Sequence, residues 1–223
     1  MLMSFLFPRT CHLCGLPLGE SESFVCASCI SRLPRTLYHR RKDNAMEQRF
    51  IGLFPFERAT GHFFYSRGSD LARLIADLKY RWFPGIGRCL GMLVGRELLT
   101  TGFFSDIDML VPVPMHFMKK AVRGYNQVEE ICRGLEAATG VKMCKALKAV
   151  RRHRTQTALT LEQRRSNTAD LFELTAKGCV HGKHILLCDD VCTTGSTLAS
   201  AAEAVLRSDA SVRVSLLTVG VTF

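Results

Sequence analysis

Two adjacent carboxylates, Asp189 and Asp190, stand shortly before a small, hydroxyl-rich turn that begins at Thr193. The apolar run 184–188 before them predicts a buried strand, and the Leu and Ala spacing in 198–206 predicts a helix after the turn. Such a turn lies at a helix N-terminus, where unpaired backbone N–H groups and a partial positive charge favour a phosphate. Carboxylates beside a phosphate suit ribose hydroxyls or a magnesium ion, so the segment predicts a sugar-phosphate site.

The turn 193–197 combines Gly195, which lets the backbone approach an anion closely, with four side-chain hydroxyls that can donate hydrogen bonds. It is not a Walker loop, because Gly-Lys-Ser/Thr is absent. The alternative interpretation is an ordinary strand, turn and helix with a capping Thr or Ser. Two acids at the end of an apolar strand are costly without a partner, and this favours the binding interpretation.

Four cysteines near the N-terminus form two CxxC pairs, Cys11 with Cys14 and Cys26 with Cys29, separated by eleven residues. Two such pairs can bring four thiolates into the tetrahedron of a structural zinc ion, which leaves no open position for catalysis. His12 lies inside the first pair and could compete as a ligand. A redox-active CxxC is the alternative, but the thioredoxin-like βαβ pattern that usually accompanies it is absent here.

The chain of 223 residues carries a formal net charge of +10, and the excess lies in the middle. Residues 110–165 hold twelve Lys and Arg against four Glu, whereas residues 166–223 hold four basic residues against six acidic ones. This distribution suggests a field that attracts pyrophosphate or single-stranded nucleic acid, although a solvated basic face is the simpler explanation. Ten cysteines without an export signal indicate a reducing compartment and metal binding, not disulfides. We therefore expect a cytoplasmic protein, and no apolar run reaches membrane-spanning length.

Strand and helix patterns alternate after a polar linker, residues 35–49, and we place a domain boundary between residues 49 and 50. A hairpin or edge strands are expected in 51–66, helices in 69–82, in 86–99 and from about Asn126, and strands in 107–114, 143–150, 171–174, 184–188 and 212–219. Such alternation predicts a mostly parallel sheet covered by helices on both faces. Ligands bind at the carboxyl ends of the strands in such sheets, so the loops after Val113, Val150 and Cys188 should meet.

Basic residues are concentrated in the loops that should meet there. Lys119, Lys120 and Arg123 crowd one loop, and the amides of Asn126 and Gln127 at the following helix start can cap it or bind a ligand. The Arg-rich stretch 151–165 is typical of a loop that closes over an anion. Lys79, at the end of its helix, is either a ligand-binding residue or an ordinary partner of the helix dipole.

The Asp-Asp and Thr-Thr-Gly-Ser-Thr segment resembles the motif with which type I phosphoribosyltransferases bind phosphoribosyl pyrophosphate (PRPP). Three further features narrow the resemblance to the ComF family of competence and DNA-utilisation proteins: the paired cysteines, VPVP followed by RGYNQ, and RTQTALTLEQRRSN. The resemblance implies an N-terminal four-cysteine zinc finger (residues 1–49), a type I phosphoribosyltransferase domain (residues 50–223) and a role in handling incoming single-stranded DNA. Other competence or DNA-processing proteins are possible partners, and the acceptor substrate is not evident from these motifs.

The resemblance also implies roles for individual residues. Asp189 and Asp190 would hold the ribose hydroxyls with or without Mg²⁺, and they are the expected catalytic residues. The complete PRPP-binding set is Asp189, Asp190, Val191, Cys192, Thr193, Thr194, Gly195, Ser196, Thr197 and Arg123. Nucleic acid would contact Lys119, Lys120, Tyr125, Arg151 and Arg154. A phosphoribosyltransferase is expected, and the alternative is a PRPP sensor or single-stranded-DNA carrier without turnover.

Overall fold

Strands and helices alternate along the part of the chain that the computed structural model describes, residues 9–115, 123–150 and 171–223. The strands are β1 (Ala59–Phe64), β2 (Met109–Pro112), β3 (Leu147–Ala149), β4 (Phe172–Leu174), β5 (His184–Cys192) and β6 (Arg213–Val221). The helices are α1 (Ala27–Ser31), α2 (Asp70–Tyr80), α3 (Pro84–Leu99), α4 (Gln127–Thr139), α5 (Lys177–Val180) and α6 (Ser196–Ser208). This alternation confirms the predicted α/β class.

The main sheet of the described residues has the strand order β1-β6-β5-β2, and every neighbouring pair is parallel. Successive side chains of β5 point to opposite faces of the sheet. Leu186 and Cys188 accordingly join one apolar cluster, and Ile185 and Leu187 join the other. A parallel sheet buried on both faces requires such continuous apolar strands. The order also places β5, which carries the two acids, between two neighbours and away from the sheet edges.

Each face of the sheet has its own cover. Helices α2, α3 and α4 pack on one face, together with Val25 and Leu33 from the cysteine-rich segment. Helix α6 packs on the other face with Met46 and Phe50, which come from the end of the polar stretch and from the residue directly after it. The N-terminal residues therefore contribute to both cores of the sheet.

Helices α3 and α4 approach closely through glycines. A Cβ atom on Gly91 would lie 2.0 Å from the carbonyl oxygen of Ile131, and one on Gly134 would lie 2.2 Å from the carbonyl oxygen of Arg88. Only glycine permits this contact, so the two helix backbones fit together in one arrangement. The position of α4, and hence of the residues at its start, is fixed by this contact.

Several elements differ from the sequence-based expectations. Residues 51–56 form turns, so the hairpin alternative for 51–66 is wrong and the edge-strand alternative is confirmed by β1. The strand expected in 143–150 is the short β3, which pairs antiparallel with β4 outside the main sheet. Strand β5 continues to Cys192, so both acids lie inside the strand and not after it. Its longer ladder with β6 explains this difference, since the pairing extends to Val221.

Cys144 and Cys179 form a disulfide, which contradicts the expectation that the cysteines serve metal binding and not disulfides. The two residues are 35 apart in sequence, and the β3–β4 pairing brings their neighbourhoods together. No sequence spacing predicts such a pair, because it depends on the antiparallel register. Within the same described segments, no helix combines the length and the apolar character that crossing a bilayer requires.

Candidate phosphate site and metal site

Asp190 is buried, and both oxygens of its carboxylate accept hydrogen bonds. Lys79, the last basic residue of α2, donates to Oδ1 at 2.9 Å, and Gln127, the first residue of α4, donates from Nε2 to Oδ2 at 2.7 Å. Neither alternative predicted for Lys79, a ligand-binding residue or a partner of the helix dipole, included this hydrogen bond to Asp190. The neighbouring Asn126 caps α4 by accepting from the Val128 N–H at 3.0 Å. Helix capping and contact with the acids are thus divided between adjacent amides.

Asp189 is half-buried, and its Oδ1 accepts the backbone N–H of Asp190 at 2.8 Å. Both acids line a cavity of about 310 Å³ at the carboxyl end of the sheet. The other residues around this cavity come from α2, from the segments around β2 and α4, from β3 and β4, and from α6: Lys79, Val113, Pro114, Met115, Arg123, Asn126, Gln127, Val128, Ala149, Val150, Leu171, Phe172 and Thr197. Pro114 and Met115, directly after Val113, thus meet the end of β5 as predicted, whereas the loop after Val150 lies outside the described residues.

The hydroxyl-rich turn lies directly after β5 and leads into α6. Thr193, Thr194, Ser196 and Thr197 are exposed, so no bulky side chain from the described residues covers the turn. Gly195 has a φ of +84°, in the left-handed region that favours glycine. A Cβ atom there would also meet the Phe50 ring at 2.9 Å, so substitution would disturb both the turn and the core beneath it. The prediction of an open turn at a helix N-terminus is confirmed, and phosphate binding stays a prediction.

Arg49 supports the turn from outside, and the sequence did not indicate this role. Its guanidinium donates to the carbonyl oxygen of Thr193 in a close contact, to that of Cys192 at 3.4 Å and to that of Thr222 at 2.5 Å. The residue lies in the polar stretch that was interpreted as a linker, and a single Arg there carries no recognisable signal. Hydrogen bonds from a charged donor to three carbonyls fix the path of the chain where β5 leaves the sheet.

Arg123 lines the cavity, and its contact with pyrophosphate stays a prediction. Its Nη1 donates to Oε1 of Gln127 at 3.2 Å, which leaves the Gln127 amide nitrogen for Asp190. Tyr125 donates its hydroxyl to the Leu78 carbonyl oxygen, and burial raises the pKa of this hydroxyl. The other predicted nucleic-acid contacts, Lys119, Lys120, Arg151 and Arg154, and the predicted closing loop 151–165, lie outside the described residues.

The four N-terminal cysteines converge, with all their Sγ atoms within 4.8 Å of one another. Cys14 and Cys26 are 3.8 Å apart at sulfur, and a zinc–sulfur distance of about 2.3 Å in a tetrahedron implies roughly the same separation. The donor set therefore fits a metal such as zinc. His12 turns away from the cluster, because its Nδ1 contacts Oδ2 of Asp77 at 3.0 Å.

The surroundings of the cluster favour thiolate at one position. Burial alone would raise the pKa of Cys11, but N–H groups including those of Leu13 and Cys26, each 3.4 Å from its sulfur, lower this pKa to about 6. Burial and the neighbouring sulfurs raise the pKa of Cys29 to about 12. Thiolate is the form that binds metal, so a cation would be needed to hold all four sulfurs deprotonated together.

Comparison with known proteins agrees with this geometry. Residues 120–219 match the phosphoribosyl transferase domain family. The DNA utilization protein YhgH of Escherichia coli K12 is 28% identical over 221 residues, covering 92% of this chain and 93% of that protein. Competence protein F of Haemophilus influenzae is 32% identical over 133 residues, 57% of this chain and 58% of that protein.

Two solved structures resemble part of the chain. They are the allosteric regulatory enzyme of purine biosynthesis, with 18% identity and a TM-score of 0.43, and the glutamine PRPP amidotransferase of B. subtilis, with 17% identity and a TM-score of 0.39. Each match covers 63% of this chain and less than a third of the longer enzyme.

The domain match and the parallel sheet with its strand-end pocket define a phosphoribosyltransferase-type fold. The relatives match 92% of the chain, well beyond the residues that match the domain family. The chain is similar over most of its length to DNA utilization proteins and over 57% of it to a competence protein, which confirms the resemblance of its motifs to the ComF family.

Proposed function

We propose that this protein binds PRPP at the carboxyl end of β5 and handles single-stranded DNA during natural transformation. The observation that carries the proposal is the acid pair, Asp189 and Asp190, set in one pocket beside an open hydroxyl turn at the N-terminus of α6. In this proposal, residues 1–49 form a zinc-binding segment and residues 50–223 form the phosphoribosyltransferase-type domain. The names of the relatives, DNA utilization protein and competence protein, support the DNA role.

Each part of the ligand has a matching surface. The ribose hydroxyls donate to Asp189 and Asp190, and the 5-phosphate accepts from the turn 193–197, including its backbone N–H groups. Arg123 meets the pyrophosphate, together with the Arg-rich stretch 151–165. The anionic ends of PRPP thereby lie against cations and amides, and its hydroxyls lie against carboxylates.

Asp190 suits hydroxyls better than magnesium. Its two oxygens already accept from Lys79 and Gln127, and the Lys79 ammonium lies 2.9 Å away, where it would repel a second cation. Hydroxyl donors can still use the remaining lone pairs of a carboxylate. Magnesium therefore fits the pyrophosphate oxygens, where it would neutralise charge on the leaving group.

The chemistry requires the chain mainly to hold the ribose still. Breaking the bond between C1 and the pyrophosphate builds positive charge on the sugar and negative charge on the leaving group. Lys79 and Gln127 hold the Asp190 carboxylate in place before the ligand arrives, so little reorganisation is needed. Arg123 supplies positive charge on the side of the cavity where the pyrophosphate departs.

We also propose zinc in the cysteine cluster and a cytoplasmic location. A site of four thiolates requires reduced cysteines, which supports a reducing compartment. The Cys144–Cys179 disulfide is evidence in the opposite direction, since disulfides are rare there. Counting free thiols in protein extracted under acid quench separates the two: ten reactive thiols in the denatured, metal-free chain indicate a fully reduced protein, and eight indicate the disulfide.

Calorimetric titration with PRPP and Mg²⁺ tests the pocket. Asp190→Asn should weaken binding roughly 10- to 100-fold, because it removes charged hydrogen bonds to the ribose, and the double change at Asp189 and Asp190 should abolish it. Asp70→Asn is the matched control, since it removes an exposed carboxylate at the opposite end of α2 from Lys79. Unchanged affinity in the double variant would contradict the assignment.

A pyrophosphate-release assay decides between turnover and binding alone. PRPP and Mg²⁺ are incubated with bases, amines and single-stranded DNA as acceptors. Release that depends on one acceptor and disappears in Asp190→Asn identifies a phosphoribosyltransferase. Tight PRPP or DNA binding without release identifies a sensor or carrier.

A further inference from the structure

Two large aromatic side chains stand exposed beside the strand-end pocket. Tyr80, the last residue of α2, is 70% exposed, and Trp82 is 64% exposed. Large aromatic rings usually bury most of their area, so two open rings in three residues mark an interaction surface. We call Tyr80 and Trp82 the aromatic pair.

The backbone at Trp82 is strained in a way that presents its ring. Its φ is 61°, in the left-handed region, which costs a bulky residue about 1–3 kcal/mol and persists only where the surroundings impose it. The indole lies against Gly124, where a Cβ atom would come within 2.6 Å of Cη2, and it meets the Tyr125 ring edge-on at 6.4 Å. The RGYNQ turn thus supports one side of the ring while the rest of it faces solvent.

Tyr80 is connected to the pocket through a chain of contacts. The Arg123 guanidinium lies over the Tyr80 ring, 5.0 Å from its centroid, and also donates to Oε1 of Gln127 at 3.2 Å. Gln127 in turn donates to Asp190 at 2.7 Å. The aromatic pair is therefore held in a fixed relation to the acids that would grip a ribose.

The charge around the aromatic pair is positive. Lys79 and Arg81 flank Tyr80, the Arg81 side chain is 75% exposed, and Arg123 lies over the ring. The nearby carboxylates are buried and already paired, Asp77 with His12 and Arg81 and Asp190 with Lys79, so Arg123 and the exposed guanidinium of Arg81 carry the charge that a ligand meets. Open rings bordered by cations match a ligand with flat faces and a negative backbone, which describes single-stranded nucleic acid.

We propose that Tyr80 and Trp82 form a base-stacking surface that binds single-stranded nucleic acid at the rim of the strand-end pocket. This inference rests on the proposed role in handling single-stranded DNA, and it names the residues that contact the bases. A base stacks on the Trp82 indole while Arg81 and Arg123 face the adjoining phosphates. The strand thereby runs past the opening of the cavity that contains Asp189 and Asp190.

Tryptophan fluorescence provides a direct test, because Trp82 is the single tryptophan of the chain. An oligothymidylate of about twelve nucleotides should quench its emission, whereas an abasic deoxyribose-phosphate strand of equal length should quench it far less. Equal quenching by both strands would show that charge alone governs binding, and it would overturn the stacking surface. Equal quenching by a free nucleoside would indicate that the indole binds a small acceptor base and not a nucleic-acid strand, which would also overturn the proposal.

Anisotropy of a labelled oligothymidylate tests the residues in the full-length protein. Trp82→Gly and Tyr80→Ala should each weaken binding roughly 5- to 100-fold, with little change in its salt dependence. Arg81→Gln should instead reduce the slope of log K against log salt by about one. Phe223→Ala, which removes another exposed aromatic ring, is the matched control.

Trp82→Gly also separates function from folding, because glycine adopts a φ of 61° without strain and the melting temperature should not fall. Wild-type affinity in both Trp82→Gly and Tyr80→Ala would overturn the proposal. Titration of Trp82→Gly with PRPP keeps the two hypotheses distinct, since its PRPP affinity should match that of the wild type. A wild-type protein that binds PRPP but no single strand would overturn the aromatic pair and leave the PRPP site standing.

Discussion

The cysteine cluster and the strand-end pocket are assembled in opposite ways. Four residues within one short stretch, from Cys11 to Cys29, form the cluster, and each lies close to the others along the chain. The pocket draws residues from α2, α4, β3, β4, β5, α6 and the segment directly after β2. Both nevertheless contact the same helix, since His12 pairs with Asp77 and Asp190 pairs with Lys79 on α2.

The cysteine cluster and the pocket therefore depend on different interactions. Local spacing and one metal ion can hold the cluster, because its ligands need little help from distant residues. The pocket exists only after the sheet and three helices have packed, so its geometry follows the stability of the whole domain. Because both sites contact helix α2, loss of the cluster would disturb the pocket through this helix.

The largest expected effect is loss of the metal. Replacing Cys29 with Ser removes one of four thiolates, and zinc is worth about 10–16 kcal/mol to small zinc-finger folds. We expect zinc content to fall from one equivalent to almost none, and residues 11–33 to lose hydrogen-exchange protection. Elemental analysis and exchange mass spectrometry measure the two effects. The half-buried Cys89 lies outside the cluster, so Cys89→Ser should keep its zinc.

Next in size is the ion pair inside the pocket. Lys79→Met leaves Asp190 buried without its cation and should lower the free energy of unfolding by about 2–4 kcal/mol, somewhat less than for a fully buried pair. Urea denaturation measures the loss. Adding Asp190→Asn should recover part of the stability because the stranded charge is removed, while PRPP binding should stay weaker than in the wild type. A double variant no more stable than Lys79→Met would argue against the pair.

A smaller effect is expected where the N-terminal segment holds the phosphate turn. Arg49→Met removes the donor for three backbone carbonyls, which should cost about 1–3 kcal/mol of stability. PRPP affinity should fall about tenfold, equivalent to about 1.4 kcal/mol. Calorimetry compares the PRPP affinity of Arg49→Met with that of Arg41→Met, which removes an exposed cation from the same polar stretch. Equal PRPP affinity in the two variants would show that the turn keeps its shape without Arg49.

The smallest effect concerns the pH dependence of the contact between Arg35, near the cluster, and Glu97 on α3. Burial alone would raise the pKa of Glu97, but hydrogen bonds with His62 and Arg35 outweigh it and lower the pKa to about 2. A carboxyl with a depressed pKa stabilises the fold fully above its unfolded value near 4.5, and this stability is lost as pH falls toward 2. Thermal melts of Glu97→Gln should therefore change less between pH 5 and pH 2 than wild type, and identical slopes would contradict the pairing.

Local sequence patterns predicted the elements whose formation depends on neighbouring residues in the chain. Helix α2 was expected in 69–82 and spans Asp70–Tyr80, with the Ser69 side chain accepting from the Ala72 N–H as its cap. The order of β5, the open turn and α6 also follows from neighbouring residues. By contrast, β3 and β4 form a separate antiparallel pair, because pairing partners are chosen by tertiary packing and not by strand propensity.

The amino-acid sequence alone determined the cysteine cluster, the acid pair before its hydroxyl turn, and the α/β class, because each depends on spacing along the chain. Tertiary structure alone decided that Lys79 and Gln127 clamp Asp190, that Arg49 braces the turn, and that Trp82 is presented beside the pocket. Those contacts join residues 63 to 144 positions apart, or, for Trp82, depend on a turn more than 40 residues away. Such partners are selected by the packing of the sheet and its helices, which no local pattern of residue types encodes.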